Sequence, residues 1–330
     1  DIVIITSGIA RKPGQTRIEL TQTNVNIMKS IAPQIVKAAP DALYIIVSNP
    51  VDIMTYVFTK ISGLPENQII GSGTILDTAR LRCGLSEHFK VSQKNIHAYV
   101  FGEHGDTSFI PWTGAYISGV SINEYYELAK SLGKDVKELD KEAMLAYVQK
   151  SGGQIIANKG ATFYAVSKAV CKLCGIVLAS SDSVATVSSM MHGEYGIEDV
   201  CLSTLTLVGP NGIQGKVPMR MNQKEIEQLK NQIFALKSNE WVNETVSLGS
   251  VNALIKKVEG MDAGALKDIV SNLKAKDPNI VCFFGNVSND KIVFVSGAGK
   301  DAVSKGVHAG QLVKKAAQLC SGNGGGKPDM

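Results

Sequence analysis

No apolar run in this chain reaches the roughly 18 residues that a membrane-spanning helix needs, so that architecture is not expected. A basic, apolar leader is also missing. The chain has no initiator Met and opens on Asp1-Ile2-Val3-Ile4-Ile5, a strand-like run, so nothing reads as a secretory signal. Cysteine is sparse, six in 330 residues. Cys171 and Cys174 form the one close pair, and no second pair accompanies them. A metal site or a disulfide framework wants more, so these thiols read as packing residues of a reduced, cytoplasmic chain. Charge of one sign is lacking too. A formal net charge of +4 is too small to argue by itself for a nucleic-acid partner.

What is there is an alternating pattern. With 44% hydrophobic and 19% charged residues the chain has an ordinary globular make-up, and its length suffices for two domains with cores of their own. Residues 1–6 read as a strand, 17–37 as a helix ended by Pro40, 42–47 as a strand delivering Ser48-Asn49-Pro50, and 51–61 as a helix closed by Gly63. A helix over 74–89 and a strand running from Ile96 to His104 follow. Next come charged, amphipathic helices over 121–131 and 139–157 and an apolar helix over 161–178. Residues 184–190 and 200–208 read as strands, turned by Gly193 and by Gly209-Pro210-Asn211-Gly212.

The chemistry concentrates in two short stretches. Asp77-Thr78-Ala79-Arg80 puts a carboxylate and a guanidinium three residues apart in a helical run, on one face. Gly102-Glu103-His104-Gly105-Asp106 sets a histidine in a glycine-bracketed turn after an apolar run, where an α/β fold usually places its reactive groups. A carboxylate that holds an imidazole makes a proton donor tunable near neutral pH, and an arginine fork grips a carboxylate at two points. Taken singly, these residues also read as an ordinary helix pair and a turn histidine.

Taken with their neighbours they resemble the lactate/malate dehydrogenase family. The resemblance is carried, in the family's order and spacing, by residues 1–8, Arg11-Lys12-Pro13-Gly14-Gln15-Thr16-Arg17, Ser48-Asn49-Pro50-Val51-Asp52, Gly71-Ser72-Gly73-Thr74 running into Asp77 and Arg80, the His104 turn, Lys159-Gly160-Ala161-Thr162 and Tyr195-Gly196-Ile197-Glu198-Asp199-Val200. It extends to about residue 230. It implies an α/β fold: a partial Rossmann-type parallel sheet in a remnant NAD-binding domain over residues 1–72, and an α+β substrate and catalytic domain over 73–230. It also implies hydride transfer between NAD and C2 of a small 2-hydroxy acid. His104 is then the proton acceptor and donor, Asp77 fixes its tautomer, Arg17 on a mobile lid polarises the carbonyl, and Arg80 holds the substrate carboxylate. Arg11, Asn49 and Thr162 are implied substrate contacts; Gly8, Val47, Ser48, Asn49 and Ser72 are implied NAD contacts. A homo-oligomer, dimer or tetramer, is implied for the intact family member.

Arg11 stands where the family reads the substituent on the substrate's C3. A Gln there goes with lactate and an Arg with the second carboxylate of malate or oxaloacetate. A buried carboxylate needs a charged partner, so malate is expected, although Gly71-Ser72-Gly73-Thr74 and Thr162 are lactate-like. Arg82 and His97 match positions that bind fructose 1,6-bisphosphate at a subunit interface of bacterial lactate dehydrogenases; surface charge without a ligand is the alternative reading.

Against this family one element is missing. A dinucleotide-binding fold opens with a strand, a glycine-rich phosphate loop, a helix and, about 20 residues on, an acidic residue. This sequence contains no such loop, and by resemblance residues 1–6 are an inner strand. The chain therefore reads as a fragment short of at least one βαβ unit of roughly 30 residues. The expected consequences are an unpaired edge on the parallel sheet rather than a complete six-stranded one, and weak or absent NAD binding.

From residue 231 the resemblance changes. Val258-Glu259-Gly260-Met261-Asp262, residues 306–313 and Gly324-Gly325-Gly326-Lys327-Pro328-Asp329-Met330 resemble the C-terminal domain of alanyl-tRNA synthetases, a small α/β module. That resemblance implies tRNA as a partner, yet residues 232–330 hold 12 Lys, no Arg and 9 acidic residues, a weak footing for RNA. Gly322-Asn323-Gly324-Gly325-Gly326 before Lys327 reads either as a backbone nest for a phosphate or as an unstructured end. The joint, within the helix-like residues 222–230, reads either as a gene fusion or as an assembly artefact with no function of its own. Two functions stand side by side: a dehydrogenase, and a tRNA-associated binding module.

Overall fold

Three short apolar runs build the centre of the first unit. β1 (Ile2–Ile5), β2 (Leu43–Ile46) and β3 (Ile69–Gly71) pair in parallel, with Ile4 beside Ile45 and Ile45 beside Ile70. Parallel pairing needs crossovers, which α1 (Arg17–Ala38) and α2 (Val51–Ser62) supply. A sheet covered on both faces wants continuous rather than alternating apolar strands, and β2 is buried throughout. Tyr44 and Ile46 join Ile5, Met28, Met54 and Phe58 on one side; Leu43 and Ile45 join Ile70, Val170, Leu173 and Val187 on the other. α2 stops where Gly63 takes a left-handed φ of 69°.

The computed structural model describes residues 1–9, 17–230, 241, 244–259, 263–288 and 291–330. It divides into two compact units, Asp1–Leu229 and Lys230–Met330. In the first unit the chain continues through α3 (Ile75–Phe89), β4 (Ile96–His97), β5 (Tyr116–Ile117), β6 (Val120–Ser121), α4 (Ile122–Ser131), α5 (Lys141–Lys159), α6 (Tyr164–Val177), β7 (Ser183–His192), β8 (Glu198–Gly209) and β9 (Gly212–Lys216). β4, β5 and β6 form a small antiparallel sheet, and Leu81, Leu85 and Phe89 of α3 share a core with Ile96, Ile117, Ile122 and Val148.

β1 lies at an open edge, as expected of residues 1–72. The strand count corrects the expectation: the sheet has six strands, in the order β1-β2-β3-β7-β8-β9. The additional three are antiparallel and come from later in the chain, and β9 had no counterpart in the sequence reading. They join through Gly71 opposite Ser188. Glycine permits this approach, since a Cβ on Gly71 would stand 2.3 Å from Thr55 Oγ1 and 2.8 Å from Ser188 Cβ.

A second correction concerns the strand expected from Ile96 to His104. Only Ile96–His97 pairs as a strand; beyond it there are lone bridges, Phe101 to Phe109 and Gly102 to Ser203. The Val100 backbone is bonded to Thr74, the N-cap residue of α3, and to Thr78 within it instead of a neighbouring strand. Cys171 and Cys174 also part company: Cys174 packs against the core, whereas Cys171 is exposed. The helical stretch at 223–229 starts on a reciprocal cap, with Asn222 Oδ1 accepting from Glu225 N–H and Glu225 from Asn222 N–H. Glu225 also accepts from Thr113 N–H, which ties this helix start to the first unit.

The second unit is a four-stranded sheet, β10 (Val246–Leu248), β11 (Val251–Glu259), β12 (Ile280–Ser288) and β13 (Lys291–Ala298), in that order. β11 and β12 are parallel, and α7 (Ala263–Lys276) makes the crossover between them. Leu266, Ile269, Val270 and Leu273 of α7 pack on Leu254, Cys282, Phe284 and Val295. α8 (Lys300–Ser304) and α9 (Ala309–Leu319) follow. The glycine-rich tail is not an unstructured end. Ala309 and Gly310 N–H donate to the Pro328 and Lys327 carbonyls, Ala298 N–H donates to Asp329 O, and Lys274 pairs with the Asp329 carboxylate at 3.2 Å. Among the described residues no helix is long and apolar enough to cross a membrane, and no His, Cys, Asp or Glu cluster suits a metal ion.

Candidate active site

The site begins with how α3 is seated. Gly73 has φ 50°, and a Cβ there would fall 2.4 Å from Ser203 Oγ and 2.6 Å from Ser188 N, so only glycine fits. Thr74 N–H then donates to Ser203 Oγ at 3.1 Å, and Thr74 Oγ1 to Val100 O at 2.5 Å. Val100 N–H donates to Thr78 Oγ1 at 3.0 Å, and Thr78 meets Thr186 at 2.9 Å. These bonds sew the first two turns of α3 to β7, β8 and the segment leading to His104. Asp77, in the same turns, meets the His104 turn.

There the carboxylate of Asp77 is divided between two partners. One oxygen lies 2.6 Å from His104 Nδ1, the other 3.1 Å from Arg80 Nη1. Asp77 is 8% exposed at its side chain, Arg80 14% and His104 30%, so the histidine is the member that solvent or a ligand reaches most readily. Burial pulls the His104 imidazole toward the neutral form. The Asp77 hydrogen bond and charge, helped by the Asp52 charge and opposed by Arg80, outweigh it and hold the His104 pKa above the usual histidine value. With Nδ1–H committed to Asp77, Nε2 is the atom left to give or take a proton.

The histidine's backbone is held as firmly as its ring. Gly102 exchanges two hydrogen bonds with Ser203, at 2.9 and 3.0 Å. His104 N–H donates to Asp52 Oδ2 at 2.7 Å, and Ser188 Oγ donates to Asp52 Oδ1 at 2.5 Å. Burial lifts the Asp52 pKa to about 6, against the Ser188 and His104 hydrogen bonds that lower it. Sequence reasoning assigned Asp52 no role. Its signal was an acid in the first turn of a helix, which ordinarily marks only a favourable dipole contact.

The residues expected at the cofactor gather at the carboxyl ends of the parallel strands, where open α/β sheets bind ligands. Gly8 follows β1, Val47, Ser48 and Asn49 follow β2, and Ser72 follows β3. Val47 N–H donates to Ile5 O at 2.9 Å, Ser48 Oγ to Ser7 O at 2.6 Å, and Ser72 N–H to Ile46 O at 2.8 Å. The exposed Asn49 is held through its carbonyl by Asn24 Nδ2 at 2.8 Å, and Asn24 Oδ1 accepts from Ile9 N–H at 2.9 Å. Asn24, almost wholly buried, is a second residue that the sequence did not flag. Ser7 Oγ is buried with no hydrogen-bond partner among the described residues, an orphaned hydroxyl suited to a polar ligand at these strand ends.

The remaining expected residues are Arg11, Arg17, Thr162, Arg82 and His97. Arg11 lies outside the described residues, and so does the side chain of Arg17, the first residue of α1. Thr162 is exposed in the connection between α5 and α6 and forms no hydrogen bond to His104, Asp77 or Arg80. Arg82 donates to Ala98 O at 3.1 Å and lies over the Tyr99 ring. It lines a cavity of about 240 Å³ with Lys94 and Lys172, and the exposed His97 is not among the lining residues.

Residues 1–71 match the lactate/malate dehydrogenase NAD binding domain, and residues 74–245 match the lactate/malate dehydrogenase alpha/beta C-terminal domain. L-lactate dehydrogenase 1 of Clostridium acetobutylicum is 43% identical over 242 residues, covering 72% of this chain and 75% of that protein. The chain belongs to the lactate/malate dehydrogenase family. The L-lactate dehydrogenase of Acetivibrio thermocellus is 44% identical over 237 residues, 72% of this chain and 74% of that protein. Among solved structures, MGS-M5, a lactate dehydrogenase from a Medee basin deep-sea metagenome library, aligns with a TM-score of 0.67 at 33% identity, covering 72% of this chain and 75% of its own. The L-lactate dehydrogenase from Clostridium thermocellum aligns with a TM-score of 0.64 at 36% identity, covering 72% and 76%. These dehydrogenase relatives give no support to the malate preference read from Arg11. Residues 250–330 match a DHHA1 domain, within the segment that resembles the alanyl-tRNA synthetase C-terminal domain.

Proposed function

We propose that His104, Asp77 and Arg80 are the working site of an NAD-dependent L-2-hydroxy-acid dehydrogenase that interconverts lactate and pyruvate. The observation that carries this reading is the division of one carboxylate, Asp77, between an imidazole and a guanidinium. One residue thereby sets both the proton donor and the substrate grip. In this reading residues 1–72 belong to the NAD-binding domain, 73–230 to the substrate domain and 231–330 to a separate module, and the working form is a homo-oligomer. Ser7, Gly8, Val47, Ser48, Asn49 and Ser72 would hold NAD, which when bound supplies or accepts the hydride.

The protein's own part is positioning and proton transfer. Arg80 spends one N–H on Asp77 and keeps further donors for the substrate carboxylate. In reduction the His104 imidazolium gives its Nε2 proton to the keto oxygen; the neutral ring stays oriented through Nδ1–H and Asp77. In oxidation the same nitrogen takes the hydroxyl proton. Arg17 would polarise the carbonyl, and Asn49 and Thr162 would contact the substrate. The lactate assignment draws on the names of the relatives. Arg11 is the residue that would favour a second carboxylate, hence oxaloacetate. Twelve lysines against 9 acids in residues 232–330 give no preference to a tRNA reading.

The test is NADH oxidation by the whole chain at millimolar NADH, with pyruvate and with oxaloacetate. Pyruvate-dependent turnover is expected to exceed oxaloacetate-dependent turnover, and His104→Ala to lower it by roughly three orders of magnitude. Turnover that survives His104→Ala unchanged would remove the assignment; a preference for oxaloacetate would replace lactate by malate.

A further inference from the structure

Asp52 is 3% exposed, yet hydride transfer as described does not use it. A buried carboxylate is costly unless a cation or several donors offset the loss of water. Among the described residues, neither lysine nor arginine bonds to Asp52. Its hydrogen-bond partners are the Ser188 hydroxyl on β7 and the His104 N–H. The titratable groups that face it are Glu103 and His104 on the same turn and Cys201 on β8. Of these only His104 can carry positive charge. The His104 ring in turn faces Asp77, Asp52 and Arg80.

Resting on the dehydrogenase reading above, we propose that Asp52 is a positioning residue for His104: its carboxylate, oriented by Ser188, anchors the histidine's main chain while Asp77 holds the ring, and its negative charge favours the protonated imidazole. Geometry carries the first half. A ring tethered only at Nδ1 can pivot about that bond; a second tether on the backbone fixes where Nε2 points. The tethers come from two helices, α2 and α3, so a shift of either against the sheet moves the proton donor. Gly71 makes the arrangement possible, since β7 approaches at that glycine and Ser188 stands opposite it. Charge carries the second half. Among the described residues that face Asp52, the one able to carry positive charge is the ring it anchors, and the two interact through a poorly screened interior.

The test needs no substrate and no turnover. The ring Cε1–H signals of the whole chain are followed by NMR from pH 4.5 to 9, with His104 identified by its loss in His104→Gln. Asp52→Asn keeps an acceptor for His104 N–H and turns an amide N–H toward Ser188 Oγ, so it removes chiefly the charge. The His104 midpoint is expected to fall by about one pH unit, with His88, His97, His192 and His308 unchanged. An unmoved His104 midpoint overturns the proposal. Should Asp52→Asn fail to fold, the wild-type His104 amide serves in its place. Its proton shift is expected to move as the Asp52 carboxyl it donates to ionises, and a flat response between pH 4.5 and 8 overturns the proposal equally. Failure of the dehydrogenase reading would show separately, as wild-type chain that never oxidises NADH with a keto acid.

Discussion

Removing the charge of Asp52 should make the first unit more stable, and increasingly so as pH rises. The folded state raises the Asp52 pKa from 3.8 to about 6. A carboxyl with a raised folded pKa holds its proton more tightly in the folded than in the unfolded chain, so stability falls as pH climbs from about 4 to about 6 and is flat above. Over that span the ionised group costs the folded state roughly 3 kcal/mol at pH 8, but well under 1 kcal/mol at pH 4. His104 acts in the same direction. Its folded pKa is also raised, so its stabilising contribution is present at low pH and lost as pH rises through the folded value. Asp52→Asn should therefore match the wild type near pH 4 and exceed it by roughly 2 kcal/mol or more at pH 8. The assay is urea unfolding by tryptophan fluorescence in a Trp241→Phe background, so that Trp112 reports the first unit alone. A gap of the same size at both pH values would refute the reasoning, because a lost hydrogen bond has no such pH dependence.

Two further outcomes follow from the same contacts. Asp77→Asn should lower keto-acid reduction by about three orders of magnitude and shift the alkaline fall of kcat to lower pH, measured from pH 5 to 9, because the imidazolium loses its carboxylate. Gly73→Ala should destabilise the first unit by roughly 3 kcal/mol in urea, since φ is 50° and the new methyl meets Ser203 Oγ and the Ser188 backbone.

The elements that local pattern specifies were legible. α2 closes at Gly63, α3 carries Asp77 and Arg80 on one face, and β7 and β8 turn near Gly193. The meeting of His104 with Asp77 was legible through the family resemblance, since the i,i+3 pair and the glycine-bracketed turn taken singly also read as an ordinary helix pair and a turn histidine. Long-range pairing was not. That β7, β8 and β9 extend the parallel sheet depends on close approaches at Gly71 and Gly73, which a sequence shows only as two glycines. The apolar run after Ile96 looked like a strand, but Thr74 and Thr78 take the Val100 backbone groups that a ladder would use. Asp52 and Asn24 were hidden for another reason. Asn24 bonds to main-chain groups, and Asp52 to one main-chain N–H and the Ser188 hydroxyl, all distant in sequence, and no local pattern announces such bonds. In the tail, a run of glycines suggested looseness, whereas the absence of a Cβ at Gly310 lets the Gly326 backbone lie against α9.

The most direct measurement is a crystal structure of the chain with NADH and oxamate, a stable isostere of pyruvate. The account predicts the oxamate carboxylate on the Arg80 guanidinium and its keto-like oxygen within hydrogen-bond distance of His104 Nε2, with Asp77 still bridging the two residues. Oxamate bound elsewhere, with Arg80 bonded to Asp77 alone and His104 Nε2 facing only water, would contradict it.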